Sequence, residues 1–136
     1  MKFVNGTFVW IIDKFDSSIP HGSGYCKRFG LDDGDTRPYT VQIYPNGTEI
    51  FGKFTVDMLV KELRIDVSDI LFWSVKISVN GARVFEFSVE DAHESDNDNS
   101  AWLRNVLNNR RVKVECKLKH YKGTEKELSD MLCCIL

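Results

Sequence analysis

An acidic stretch near the middle of the chain is the first place where this sequence could do chemistry. It reads E-D-A-H-E-S-D-N-D-N-S, and carboxylates at alternate positions are the oxygen ligands that Ca²⁺ prefers. Asp96, Asp98 and Ser100 have the first ligand spacings of an EF-hand loop. However, Ala101 stands where that loop needs a glycine, and Leu107 stands where it needs a bidentate glutamate. We therefore expect a solvated loop, with no metal and no cofactor.

The histidines are the next candidates, because proton transfer needs an acid or base held against a partner group. His21, His93 and His120 are scattered in or beside predicted turns. No nucleophile elbow, phosphate-binding Walker loop or zinc-binding H-E-x-x-H motif occurs in the sequence. We expect each histidine to lie on the surface. The sequence therefore predicts a protein that is not an enzyme.

The cysteines give no sign of a metal site either. There are four of them, and they form no C-x-x-C pair: Cys26, Cys116, Cys133 and Cys134. A structural zinc site normally uses such closely spaced pairs. We interpret the four residues as reduced thiols of an intracellular protein.

The C-terminus allows two interpretations. The last four residues, C-C-I-L, match a C-a-a-X box, and the final leucine indicates geranylgeranylation of Cys133. One lipid chain gives only marginal membrane binding by itself. The stretch from Thr124 to Glu127 instead fits a helix capping box. It is followed by an apolar helical stripe, formed by Leu128, Met131, Leu132 and Ile135. A prenylated peripheral membrane protein stays the alternative to a short packed helix.

A hairpin between residues 71 and 89 is the clearest element of the framework. Apolar and polar residues alternate on both sides of an Asn-Gly dipeptide, and this pattern predicts two strands with one buried face. A plain two-residue turn would put the two apolar rows on opposite faces. We therefore expect a three-residue loop or a bulge, which pairs Ile77 with Phe85 and Lys76 with Glu86.

Similar alternation predicts the other strands, at residues 7–12, 25–31, 39–44, 51–60 and 112–118. Residues 59–65 could instead form a helical turn. A short helix is expected over residues 101–108, with Trp102, Val106 and Leu107 facing inward. The expected fold class is mainly β, an antiparallel β-sandwich of seven to eight strands with a short C-terminal helix.

Two Asn-Gly-Thr sequences, at residues 5–7 and 46–48, match the glycosylation sequon. A secreted adhesion-type sandwich with glycans at Asn5 and Asn46 would use them. The start of the chain makes a poor signal peptide, so we interpret both sequences as Asn-Gly turns.

The totals limit the functional classes further. A chain of 136 residues suggests a single domain with a substantial core. The net charge of −2 gives no reason to expect nucleic acid as a partner. No apolar run approaches the ~20 residues of a membrane-spanning helix.

Several segments in order are similar to the MATH domain, a TRAF-like β-sandwich. The segment F-V-W-I-I-D-K-F at residues 8–15 resembles the family's opening strand. The segment Y-T-V-Q-I-Y-P-N-G at residues 39–47 resembles its strand with a following Y-P-x-G turn. The position of the hairpin, Trp102 and the closing strand V-K-V-E-C-K-L also agree with the family. The resemblance implies a sandwich over residues 1–122. It implies that residues 123–136 resemble the linker helix that precedes the BTB domain of speckle-type POZ proteins.

The resemblance also implies a function. MATH domains recognise short linear peptide segments, and in speckle-type POZ relatives they recruit substrates to a cullin ubiquitin ligase. That ligase contact would need a BTB partner or a BTB domain outside this chain. The setting implied is cytoplasmic or nuclear, with contact to a membrane only if the chain is prenylated. The expected peptide-binding residues are Met58, Lys76, Ser100, Ala101, Trp102, Leu103 and Arg104.

Overall fold

The computed structural model of the chain describes residues 2–30, 38–48, 52–60, 70–88 and 99–122, together with Lys126 and Asp130. Within these residues it contains seven strands and one helix in the order β1 Lys2–Ile12, β2 Tyr25–Phe29, β3 Tyr39–Tyr44, β4 Thr55–Val60, β5 Ile70–Val79, β6 Ala82–Ser88, α1 Ser100–Leu107 and β7 Val112–Lys122.

The strands form two antiparallel sheets. We name the four-stranded sheet, with order β1-β7-β5-β6, sheet A, and the three-stranded sheet, with order β2-β3-β4, sheet B. All the described pairs of neighbouring strands are antiparallel. The predicted fold class, a mainly β antiparallel sandwich, is confirmed. Lys126 and Asp130 have helical backbone, whereas the rest of the tail, including Cys133, lies outside the described residues.

The core lies between the two sheets and follows the period of two in each strand. In β7, the side chains of Val112, Val114, Cys116 and Leu118 are buried, as the alternation of residues 112–118 predicts. The alternation continues past the predicted end of this strand, so His120 is also on the inner face and only 2% exposed. The prediction of a surface His120 is therefore wrong. His21 is exposed in a turn, as expected, and His93 lies outside the described residues.

Aromatic pairs join the two sheets at both sides of the sandwich. Phe8 of β1 stacks on Phe29 of β2, with ring centroids 4.3 Å apart. At the other side, Phe54, just before β4, packs against Phe85 of β6 at 5.5 Å. Such pairs add attraction beyond the area that they bury. They fix β1 over β2, and β6 over the start of β4.

The hairpin of β5 and β6 has the predicted register and an informative turn. Asn80 and Gly81 both have positive φ, 52° and 77°, as a two-residue type I′ turn requires. A bulge at Val84 then shifts the register, so that Ile77 faces Phe85 and Lys76 faces Glu86. The expected bulge is therefore present, and it puts both apolar rows on the inner face of sheet A.

One turn prediction is confirmed and the other is wrong. Asn46 lies in a turn, and Gly47 has a φ of 83°. Asn5, Gly6 and Thr7, by contrast, lie within β1, where Asn5 faces Lys119 and Thr7 faces Lys117 of β7. Pairing along the whole of β7 outweighs the local turn preference of Asn-Gly. Residues 61–65 of the alternative helical turn lie outside the described residues.

Candidate functional site

Helix α1 carries most of the predicted peptide-binding residues, and its inner side is firmly packed. Leu103 and Leu107 are one turn apart and are both buried in the core. The Ser100 Oγ accepts a hydrogen bond from the backbone N–H of Phe54 at 3.2 Å. This bond ties the first residue of α1 to the residue before β4. Ser100 and Leu103 therefore hold the helix in place from inside the fold.

Arg104 fixes the same helix to the loop that follows β3. Its Nη1 donates hydrogen bonds to the carbonyl oxygens of Pro45, at 3.4 Å, and Gly52, at 2.5 Å. Its own carbonyl oxygen accepts a hydrogen bond from Ser17 Oγ at 2.6 Å. Hydrogen bonds from a charged donor are the stronger class. The Arg104 side chain therefore stabilises the fold by holding α1 against this loop.

Trp102 points the other way, into solvent. Its side chain is 53% exposed, and the neighbouring Ala101 is also exposed. The sequence predicted that Trp102 would face inward, and this is wrong. The reason is geometrical, because burying Leu103 and Leu107 on one stripe turns Trp102 about 100° away from that stripe.

Met58 lies in β4, on the inner face of sheet B. It is paired with the buried Val41 of β3 and packs against the core. The next residue, Leu59, points outward and is 50% exposed. Phe54, whose backbone N–H is hydrogen-bonded to Ser100 at the start of α1, lies four residues before Met58. This separation is about 13 Å along an extended strand.

Lys76 lies on the outer face of sheet A, between β6 and β7. It faces Glu86 on β6 and Glu115 on β7. Its ion pair is with Glu115, at 3.7 Å from Nζ to Oε2, whereas Glu86 pairs with Arg83. Glu115 also accepts a hydrogen bond from Lys113, which is the main cause of its lowered pKa, and Lys76 contributes a smaller effect. The charge of Lys76 is thus partly compensated, by Glu115 and not by Glu86.

The structure therefore brings only part of the predicted set together. Ser100 to Arg104 share one helix near the start of β4, with Trp102 and Ala101 outside and the rest engaged in the fold. Met58 faces the inside of sheet B, while Lys76 is on the outer face of sheet A. These two side chains do not line one surface with Trp102.

Sequence reasoning missed a depression of about 560 Å³ on the outer face of sheet A. Its lining includes Asn5, Thr7, Phe72, Ser74, Lys117 and Lys119. The signal was present in β7, where lysines recur at alternate positions. The alternation shows that these lysines share the outer face of β7, but the residues beside them depend on strand pairing.

Among the described residues, no three His, Cys, Asp or Glu side chains are grouped closely enough to hold a metal ion. Cys26 and Cys116 are free thiols. No helix in the described ranges is both long and apolar enough to cross a membrane.

The comparisons with known proteins add no assignment. The chain matches no family model, no curated protein and no solved structure.

Proposed function

We propose that this chain is a non-enzymatic interaction domain that binds short linear peptide segments beside Trp102. The observation that supports it most is the 53% exposure of Trp102 on a helix whose opposite side is buried. Tryptophan is among the residues most enriched at the energetic centres of protein interfaces, because it offers a large apolar surface and one hydrogen-bond donor.

The anchoring of α1 favours this role. Leu103, Leu107 and the Arg104 hydrogen bonds fix the helix before any ligand arrives. A side chain presented on a rigid element loses little conformational entropy on binding, so more of the contact energy contributes to affinity. Trp102 is therefore a suitable anchor for an otherwise extended partner.

The neighbouring strand β4 offers a second contribution. Its described partner is β3 on one side, and no described strand pairs with its other edge. An extended peptide can add to such an edge through main-chain hydrogen bonds, while pockets for alternate side chains give selectivity. From Phe54 to Met58 the strand spans about 13 Å, the length of about four extended residues. A peptide on this edge would reach from the start of α1 to Leu59.

The resemblance to MATH domains supports the same proposal and extends it. In that setting the chain would recruit substrates to a cullin ubiquitin ligase, through a BTB partner or a BTB domain outside this sequence. It would act in the cytoplasm or nucleus. These extensions depend on the family resemblance alone.

The test is selection of binders from a library of displayed linear peptides, followed by affinity measurement with the Trp102→Ala variant. Because truncation of a central aromatic side chain typically costs at least ~2 kcal/mol, we expect affinity to fall about thirtyfold. Val9→Ala is the matched control, since Val9 is 49% exposed on the outer face of β1. Equal affinity of the wild type and Trp102→Ala would refute the site, as would a library that yields no binder.

A further inference from the structure

The depression on the outer face of sheet A combines positive charge with hydrogen-bonding groups and one aromatic ring. Strands β1, β7 and β5 form most of it in register, and Ser88 of β6 completes the lining. Lys117 of β7 lies between Thr7 of β1 and Ser74 of β5. Two residues further along β7, Lys119 lies between Asn5 and Phe72 in the same way. The resulting cross-strand rows place each lysine beside polar side chains that can orient a ligand.

The charges of Lys117 and Lys119 are not compensated within the described residues. Both side chains are exposed, and no described carboxylate lies within ion-pair distance of either. The other two lysines on this face are different, because Lys76 and Lys113 both contact Glu115, at 3.7 and 3.2 Å. Lys117 and Lys119 are therefore the lysines of this face that have no described carboxylate beside them.

The spacing of these two lysines fits an extended acidic chain. Residues i and i+2 of a strand point to the same side and are about 6.7 Å apart. Alternate side chains of an extended peptide have the same spacing. A peptide lying along β7 with carboxylates at positions i and i+2 would therefore set one carboxylate against each lysine.

The surface that borders the depression near Lys119 is apolar. The Phe72 ring is 37% exposed and meets Tyr121 edge to face, with centroids 6.2 Å apart. A ligand that continues along β7 would place its next same-side residue here. That residue should be apolar, because it would cover exposed aromatic surface.

We propose that this depression is a second docking site, which binds an extended segment with the pattern acidic-x-acidic-x-apolar. It is separate from the surface around Trp102, and it does not depend on the function proposed for that surface. A peptide is favoured over nucleic acid because the chain carries a net charge of −2 and a nucleic-acid site needs a broad basic surface.

The experiment is fluorescence anisotropy with the full chain and a labelled peptide of sequence Gly-Ser-Glu-Thr-Glu-Thr-Leu-Ser-Gly. Lys117→Gln/Lys119→Gln should weaken binding about tenfold, since two exposed charge contacts together contribute ~1–2 kcal/mol. Lys14→Gln/Arg110→Gln is the control with the same change of net charge. Both of these residues are exposed and lie beyond the far ends of β1 and β7. This control should bind within about twofold of the wild type.

Two further arms test the pattern. A peptide with the two glutamates adjacent should bind more weakly, because only one of them can face the lysine row. Phe72→Ala should weaken binding of the leucine peptide but not of the same peptide with alanine in place of leucine. Trp102→Ala should leave the affinities for the leucine peptide and the alanine peptide unchanged. Failure of this second docking site is therefore distinguishable from failure of the function proposed for the Trp102 surface.

Three results would overturn the proposal. One is equal binding by the wild type and the Lys117→Gln/Lys119→Gln variant. Another is an equal loss in the charge-matched control, which would indicate a general charge effect. The third is tighter binding of a single-stranded oligonucleotide that depends on the same two lysines, which would assign the face to nucleic acid.

Discussion

Tyr39 Oη and His120 Nδ1 lie 2.9 Å apart in the core, and the contact joins β3 of sheet B to β7 of sheet A. Their rings meet edge to face, with centroids 5.8 Å apart. Both side chains are almost fully buried. Two polar groups are tolerated there because each is a hydrogen-bond partner of the other.

Removing one partner of this pair should cost more than removing a similar hydroxyl at the surface. Tyr39→Phe deprives a buried ring nitrogen of a hydrogen bond, and we expect the free energy of unfolding to fall by about 1–3 kcal/mol. Urea denaturation measures this value. Tyr25→Phe is the control, because the Tyr25 hydroxyl accepts a hydrogen bond from the exposed backbone N–H of Asp16. A larger loss in Tyr25→Phe would contradict the interpretation.

The bulge at Val84 leads to an unusual deletion prediction. With a two-residue turn, removal of Val84 turns β6 into a regular strand that still pairs Ile77 with Phe85 and Lys76 with Glu86. We expect a folded protein that loses mainly the packing of Val84, about 1–3 kcal/mol. Thermal unfolding and amide exchange across the hairpin measure the outcome.

Deletion of Glu86 is the matched control for that experiment. It shortens the same strand by one residue, but either Phe85 or Phe87 must then leave the inner face, because a one-residue shift reverses every side chain. We expect this variant to unfold or aggregate. If the two deletions have the same effect on stability, the bulge does not set the register.

The two described cysteines, Cys26 and Cys116, should differ in their reactivity toward alkylating reagents. Burial raises the pKa of the Cys116 thiol to about 12, whereas Cys26 is exposed. In native protein, alkylation followed by mass spectrometry of each peptide should modify Cys26 and leave Cys116 intact. Comparable modification of both residues would contradict the buried position of Cys116.

The raised pKa of Cys116 also makes the free energy of unfolding depend on pH. Above the ordinary thiol pKa the unfolded chain releases a proton that the folded chain still holds, so stability is lost as pH rises toward about 12. Cys116→Val cannot lose a proton. Its stability relative to the wild type should therefore increase above the ordinary thiol pKa, by up to about 1.4 kcal/mol per pH unit. A difference that does not change with pH would exclude this linkage.

Arg104 should matter to stability more than an arginine paired at the surface. Arg104→Met keeps much of the apolar stem but removes the hydrogen bonds to the carbonyls of Pro45 and Gly52. We expect a loss of about 1–3 kcal/mol. Arg83→Met is the control, because the Arg83–Glu86 pair is largely exposed and should contribute under ~1 kcal/mol. Chemical denaturation of both variants decides whether the Arg104 contacts stabilise the fold.

The sequence by itself determined the sandwich class and most of the strands. Period-two alternation is a local property, and the inner rows of β3 and β7 can be identified without knowing their partners. The hairpin register was also predictable, because only one register buries both apolar rows together. The Asn-Gly dipeptide and the need for a bulge are both visible in those residues.

Only the tertiary structure decided the features that depend on distant partners. His120 is inside because β7 continues along β1 and because Tyr39, from the other sheet, supplies a hydrogen bond. Asn5 and Thr7 are in a strand because β7 pairs with them, which outweighs their turn preference. Trp102 is exposed because α1 packs against the core through Leu103 and Leu107, which lie on another side of the helix. The depression at Lys117 and Lys119 exists because strands far apart in sequence bring their outer rows together. Alternation predicts which residues share a face of one strand, but only the pairing of strands determines what lies beside them.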